Sequence, residues 1–170
     1  MKKLILTAAI AVFGLSNAQS GFSLGAHVGL PVGDASDAYS FTAGVDGAYR
    51  WPIAAEFNLG IATGYSAWFG KTVSYDYGFG ISGDFKYKTM SMVPIAASAQ
   101  YLFTPQFSLG VDLGYGLLFA DGDSDGGFYF QPKAAYHFGT SQVNLGYSGV
   151  SKNGFTYSAI NLGYAYTFGK

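Results

Sequence analysis

The chain has 170 residues, a formal net charge of −1, 18% aromatics and 25 glycines, and only 11% charged residues against about 25% in ordinary soluble domains. Setting aside Lys2 and Lys3 leaves seven basic residues against ten acidic, a net charge of −3, and no Lys/Arg run tracks a phosphate backbone, which excludes nucleic acid as a partner. Cysteine is absent, so stability has to come from backbone pairing and burial rather than disulfides.

Residues 1–18 read as a signal peptide. Met1-Lys2-Lys3 is a basic start, Leu4 to Leu15 a short apolar run, and Ser16-Asn17-Ala18 the small residues a signal peptidase needs, with Gln19 as the mature start. The apolar run is shorter than the roughly 20 residues a membrane helix requires. No later stretch approaches that length without Gly, Asp, Asn or Gln interrupting it.

From Gly21 onward one pattern repeats eight times: apolar residues at every second position, bounded by Gly, Pro, Asp, Ser or Thr. The first run aligns Phe22, Leu24, Ala26, Val28 and Leu30; the second Phe41, Ala43, Val45, Tyr49 and Trp51; the third Phe57, Leu59, Ile61, Tyr65 and Phe69. The fourth aligns Val93, Ile95, Ala97, Ala99, Tyr101 and Phe103, and the fifth runs by twos from Phe107 to Phe119. Phe128, Phe130, Ala134, Tyr136 and Phe138 mark the sixth, Val143, Leu145 and Tyr147 the seventh, and Ile160, Leu162, Tyr164, Tyr166 and Phe168 the eighth. Tight turns near Pro52, Pro105 and Thr140 alternate with longer connections over 31–38, 70–89, 121–127 and 149–154. Pro94 and Pro132 fall inside runs, where each lacks a ladder donor, and predict bulges.

Charge decides which way the apolar face looks. With the aromatics setting the parity of each run, Asp46, Arg50, Glu56, Asp112 and Lys133 all land on the opposite face. That face is otherwise Gly, Ala, Ser and Asn, a poor aqueous exterior but a suitable narrow lumen with room for Trp68, Tyr129 and Tyr157. Aromatics gather near both ends of the runs, as interfacial girdles do. A sheet facing hydrocarbon has to close on itself, because each unpaired backbone group costs several kcal/mol there, and eight strands enclose just enough space for side chains. The reading is an all-β fold: a closed eight-stranded antiparallel up-and-down transmembrane β-barrel over 19–170, with short periplasmic turns and longer extracellular loops. A secreted soluble barrel holding an apolar ligand among its aromatics is the alternative in a different class.

Position along the runs groups the lumen residues. His27, Asp46, Asp112, Lys133 and Asn161 fall at similar heights and predict one layer, with Lys133 bridging Asp112 and Asp46. Arg50 and Glu56 face each other across a tight turn, with Asn58, Gln100, His137 and Asn144 nearby. Mutual satisfaction of buried charges explains such a set; a small gated pore for ions or small solutes is the sharper alternative.

No catalytic residues are expected, and the protein reads as non-enzymatic without a cofactor. His27 and His137 point into the lumen, away from lipid, and neither has a Ser two residues on, the arrangement of the lipid A deacylases. Asp121, Asp123 and Asp125 match the first half of a calcium loop, but Pro132 occupies the twelfth position where a bidentate Glu belongs. In the 71–88 connection, Val73, Tyr75, Tyr77, Phe79 and Ile81, then Phe85 and Tyr87, continue the parity of the flanking runs. They predict a hairpin projecting past the membrane, whose aromatic edge offers a template for a protein partner.

From Gly21-Phe-Ser-Leu-Gly-Ala-His-Val-Gly-Leu-Pro-Val-Gly33 to Ala159-Ile-Asn-Leu-Gly-Tyr-Ala-Tyr-Thr-Phe168 the chain resembles the small outer-membrane β-barrels of Gram-negative bacteria, and is similar to the outer-membrane protein A and X barrel domains. The resemblance implies an outer-membrane location reached through the cleaved signal peptide. It also implies contact with lipid and lipopolysaccharide, assembly by the barrel-assembly machinery, and a structural or adhesin-like role. In that family the last strand ends in an aromatic read by the machinery; here Gly169 and Lys170 follow Phe168.

Overall fold

A computed structural model describes residues 21–76, 82–120 and 122–169. Alternating runs become strands because β-branched and aromatic side chains suit a pleated surface with two unlike faces. In chain order these are β1 (Gly21–Val32), a one-turn helix α1 (Ala35–Ala38), β2 (Tyr39–Ala54), β3 (Phe57–Gly70), β4 (Thr72–Asp76), β5 (Ser82–Lys86), β6 (Met90–Leu102), β7 (Phe107–Ala120), β8 (Asp123–Phe138), β9 (Ser141–Lys152) and β10 (Phe155–Phe168).

Eight of the strands close into one antiparallel barrel in the order β1-β10-β9-β8-β7-β6-β3-β2, while β4 and β5 form a separate two-stranded hairpin between β3 and β6. The seam is complete: β1 pairs with β10 from Phe22↔Phe168 to Val32↔Ser158. At one end, the turn end, β2–β3, β6–β7 and β8–β9 are joined by short turns. In the β6–β7 turn, the Thr104 hydroxyl accepts from the Phe107 amide at 3.0 Å.

The opposite, loop end departs from expectation in two places. Instead of loops over 121–127 and 149–154, β7 and β8 stay paired out to Ala120↔Asp123, and β9 and β10 out to Lys152↔Phe155. Asn153 (φ 49°) and Gly154 (φ 84°) close the latter as a two-residue turn whose twist matches the strands it joins. The prolines also act differently from the bulges expected of them. Ladder pairs are missing between Thr63↔Ile95 and Ser66↔Met92 and between Phe130↔Gly149 and Lys133↔Gly146, with the register unchanged on either side. A missing donor thus interrupts the ladder without inserting a residue. The register shifts in β2–β3 lie instead between Tyr39 and Phe41 and between Pro52 and Ala54.

The two faces are inverted relative to a water-soluble protein. Leu113, Tyr115 and Leu162 are 45%, 51% and 54% exposed, whereas Asp112 is 3% exposed. This overturns the soluble-barrel alternative, which needs the aromatics inside. On the exterior, Phe103, Phe107, Tyr136, Phe138 and Tyr164 follow one another around the turn end with ring centroids 4.9–6.4 Å apart. Tyr166, Phe168 and Phe22 carry the girdle across the seam. Near the loop end, Phe41 stacks on Phe69 at 4.3 Å, and Phe128, Phe130 and Tyr147 form a second group.

Candidate functional site

The interior is stratified. At the turn end a polar chain crosses three strands: Asn58 Nδ2 donates to Gln100 Oε1 (3.4 Å), Gln100 Nε2 to Ser108 Oγ (3.0 Å), and Ser108 Oγ lies 2.7 Å from His137 Nε2. Next come two cations. Arg50 Nε donates to Ser98 Oγ at 2.9 Å, and Lys133 Nζ is ion-paired with Asp112 Oδ2. Asp112 Oδ1 is buried without a hydrogen-bond partner, and Asp112 lines a polar cavity of about 40 Å³, shared with Arg50, Asp46 and Gln131 and roomy enough for water.

Further up, His27 Nδ1 lies 2.7 Å from Asp46 Oδ2 and Nε2 3.2 Å from Ser66 Oγ. Above that, Thr42 Oγ1 donates to Asn161 Oδ1 (3.4 Å) and Asn161 Nδ2 to Ser148 Oγ (2.8 Å). Gly29 faces this contact, and a Cβ there would collide with Asn161 Oδ1 and with Thr42 Oγ1, which allows Asn161 to reach across.

The loop-end third of the lumen is apolar. Trp68 (1% exposed), Met90, Met92, Leu118, Tyr129, Val150 and Ala159 are buried against one another, with Ala35 of α1 and the rings of Tyr39 and Tyr157 packed on them. Tyr39 meets Trp68 edge-on at 5.8 Å. The helix is tied down from the far side, where Lys71 Nζ donates to the Ser36 carbonyl at 2.6 Å. Trp68, Tyr129 and Tyr157 are the large rings the small-residue face was expected to accommodate; Met90, Met92, Leu118 and Val150 complete a plug that alternation alone did not reveal.

Against the sequence expectations, His27, Asp46, Asp112, Lys133, Asn161, Arg50 and His137 all turn inward but do not share one layer. The barrel's stagger separates Lys133–Asp112, Asp46–His27 and Asn161–Thr42 into successive levels, so Lys133 is hydrogen-bonded to Asp112 and Asp46 to the imidazole. Glu56 is corrected outright. It lies exposed in the β2–β3 turn and accepts from the Tyr101 hydroxyl at 2.9 Å on the exterior, because a turn residue is free of the strand parity that assigned it to the lumen. Both histidines do meet serines, Ser66 and Ser108, brought by sheet register from other strands rather than by proximity in sequence.

At the loop end, Asp125 accepts from Lys152 Nζ and from the Gly126 amide. Asp121 lies outside the described residues, and among the described residues no group of three or more His, Asp or Glu is arranged to hold a metal ion. The hairpin pairs Thr72↔Lys86 to Asp76↔Ser82, with Tyr75 opposite Gly83. Phe85 is 54% exposed and stacks edge-on with Tyr87 at 5.0 Å, whereas Tyr77, Phe79 and Ile81 lie outside the described residues.

No protein-family model and no curated protein matches the sequence. Among solved structures, the fold is similar to the attachment invasion locus protein Ail of Yersinia pestis, with 16% identity over 88% of this chain and 97% of that one and a TM-score of 0.52. The same protein in a phospholipid bilayer nanodisc matches with 14% identity over 87% and 99% of the two chains and a TM-score of 0.50. A de novo designed transmembrane β-barrel matches with 14% identity over 86% and 94% and a TM-score of 0.51. The chain has the fold of the small eight-stranded outer-membrane β-barrels.

Proposed function

We propose that this chain is a protein of a Gram-negative outer membrane, exported by a signal peptide over 1–18, whose work is structural and adhesive, done by contacts at the cell surface rather than by turnover of lipid. The carrying observation is the inversion of faces: a band of Leu, Ile, Val and aromatic side chains outside, and Asp112, Lys133 and Asn161 inside. Such an exterior is stable only in hydrocarbon. In this reading the turn end faces the periplasm, the loop end faces outward in contact with lipopolysaccharide, and the barrel-assembly machinery inserts the chain. The lumen's polar ladder and apolar plug stiffen the wall and leave no wide aqueous path, which argues for support rather than conduction.

The surface contact is assigned to the β4–β5 hairpin. It stands apart from the barrel sheet, has a free edge, and presents Phe85 beside Lys86, a combination suited to strand addition by a protein partner. The attachment invasion locus protein, which shares the fold, has been solved with the heparin analogue sucrose octasulfate, so a loop-end binding surface has precedent on this scaffold. Two measurements test the proposal. The protein should fractionate with outer membranes and migrate faster on SDS gels unboiled than boiled; a monodisperse monomer without detergent refutes the membrane assignment. Deleting 73–87 should abolish adhesion of expressing cells while leaving the gel shift intact, and unchanged adhesion refutes the role given to the hairpin.

A further inference from the structure

The contact among Ser66, His27 and Asp46 has the connectivity of a nucleophilic triad, and the sheet register builds it. His27 of β1 stands opposite Gly44 of β2, and Gly44 stands opposite Ser66 of β3, so the three lie in one row with glycine in the middle. The side chains flanking a central strand are about 10 Å apart at the backbone, and the imidazole reaches across because Gly44 has none: a Cβ there would sit 2.7 Å from His27 Cε1. Asp46, two residues along β2 on the same face, takes Nδ1 at 2.7 Å, which fixes the proton on Nδ1 and leaves Nε2 as the base toward Ser66 Oγ at 3.2 Å. Asp46 in turn stands between Gly25 and Gly64 in the ladder, so nothing crowds it from the neighbouring strands.

Two further features separate this set from an ordinary hydrogen-bonded cluster. Ser66 and Gln131 line the same cavity, and the Tyr129 hydroxyl donates to Gln131 Oε1 at 3.0 Å, which reserves the amide Nε2–H for an oxyanion. That cavity, of about 10 Å³, shares Asp46, Pro94, Tyr129 and Gln131 with the cavity of about 40 Å³ below it, and Asp46 is the most open member of the triad at 44% side-chain exposure. The approach is from the turn end, since the apolar plug closes the other.

We propose that Ser66 is an activated nucleophile inside the barrel that accepts acetyl-sized acyl groups from small esters, an activity beyond the surface role proposed above. Ser66 Oγ attacks the ester carbonyl as His27 Nε2 takes its proton, Asp46 stabilises the imidazolium, and the alcohol leaves with that proton. Water activated by His27 then releases the short acid and restores the serine. Lipids and long acyl chains are excluded by size, and the triad faces away from the bilayer.

The test uses methanesulfonyl fluoride on the folded barrel in detergent: the Oγ–S bond forms, the S–F bond breaks, and fluoride leaves with the proton carried by His27. One sulfonyl group should appear at Ser66 by peptide mass, with Ser98 and Ser108 unmodified in the same sample, and p-nitrophenyl acetate should be hydrolysed. Ser66→Ala should abolish both reactions, and Asp46→Asn should slow them by a factor on the order of 10⁴, each variant keeping its heat-dependent gel shift. Heat-unfolded wild type serves as an internal reference that needs no variant, and its labelling should vanish. Unmodified Ser66 in the folded protein, or equal modification in His27→Ala, overturns the assignment.

Discussion

Replacing Asp112 by Asn removes the carboxylate that the Lys133 ammonium holds, at a site where the two side chains are only 4% and 15% exposed. The loss is not confined to one pair. Arg50 feels Asp112 as well as Asp46, so two cations are left facing Asp46, which is already engaged by His27. Breaking a buried pair from one side costs about 3–5 kcal/mol, and the second cation puts this variant in the upper part of that range. Lys133→Met leaves Asp112 with Arg50 still near, so the cost falls to about 1–3 kcal/mol, the usual range for a buried polar group deprived of a partner. Asp112→Leu combined with Lys133→Met removes both charges and should come out within about 1 kcal/mol of wild type or above it. Urea titration in phospholipid vesicles, followed by Trp51 and Trp68 fluorescence, measures all three. Equal costs for the two single variants, or a double variant whose cost is their sum, refutes the stratified charge arrangement.

The exterior and the turns give independent checks. Leu113→Arg places a guanidinium on the apolar band and should destabilise by about 2–4 kcal/mol in vesicles; a change under about 0.5 kcal/mol in the same titration contradicts a lipid-facing Leu113. Gly154→Ala forces a Cβ onto φ 84° and should cost about 1–2 kcal/mol, with the barrel otherwise intact by circular dichroism. Trp68→Ala hollows the plug and should cost about 3–5 kcal/mol. In planar bilayers it should also raise conductance above the negligible wild-type level, whereas a silent variant means the polar layers below seal the lumen by themselves.

Much of the barrel is legible in the sequence because parity is local. Once Leu113 and Tyr115 are on one face, Asp112 and Gly114 have to be on the other, whatever the rest of the chain does. The plug is less legible, since Met90, Met92, Leu118 and Val150 sit at inward positions in stretches where outward neighbours such as Val93, Leu117 and Phe119 are also apolar, and alternation fades there. The Asn153–Gly154 turn carries a hairpin signal of its own, but Ser148 to Lys152 lack the outward aromatics that extend the other strands, which hides how far β9 runs. The triad is the least legible feature. Nothing in the spacing of His27, Asp46 and Ser66 joins them; only the register of three strands does, and that register depends on the stagger of the closed ring.

The β1–β10 seam has a consequence for how the molecule is made. Its two partners are the first and last strands of the barrel, 136 positions apart at Val28↔Leu162 and further still at Phe22↔Phe168. Until the final dozen residues arrive, a growing sheet exposes the bare rims of β1 and β9, a row of open amides and carbonyls that hydrocarbon does not tolerate. Insertion therefore has to be a late, all-at-once event, with some escort shielding both rims, and a chain truncated before Phe155 should stall in the aqueous phase instead of yielding a smaller cylinder.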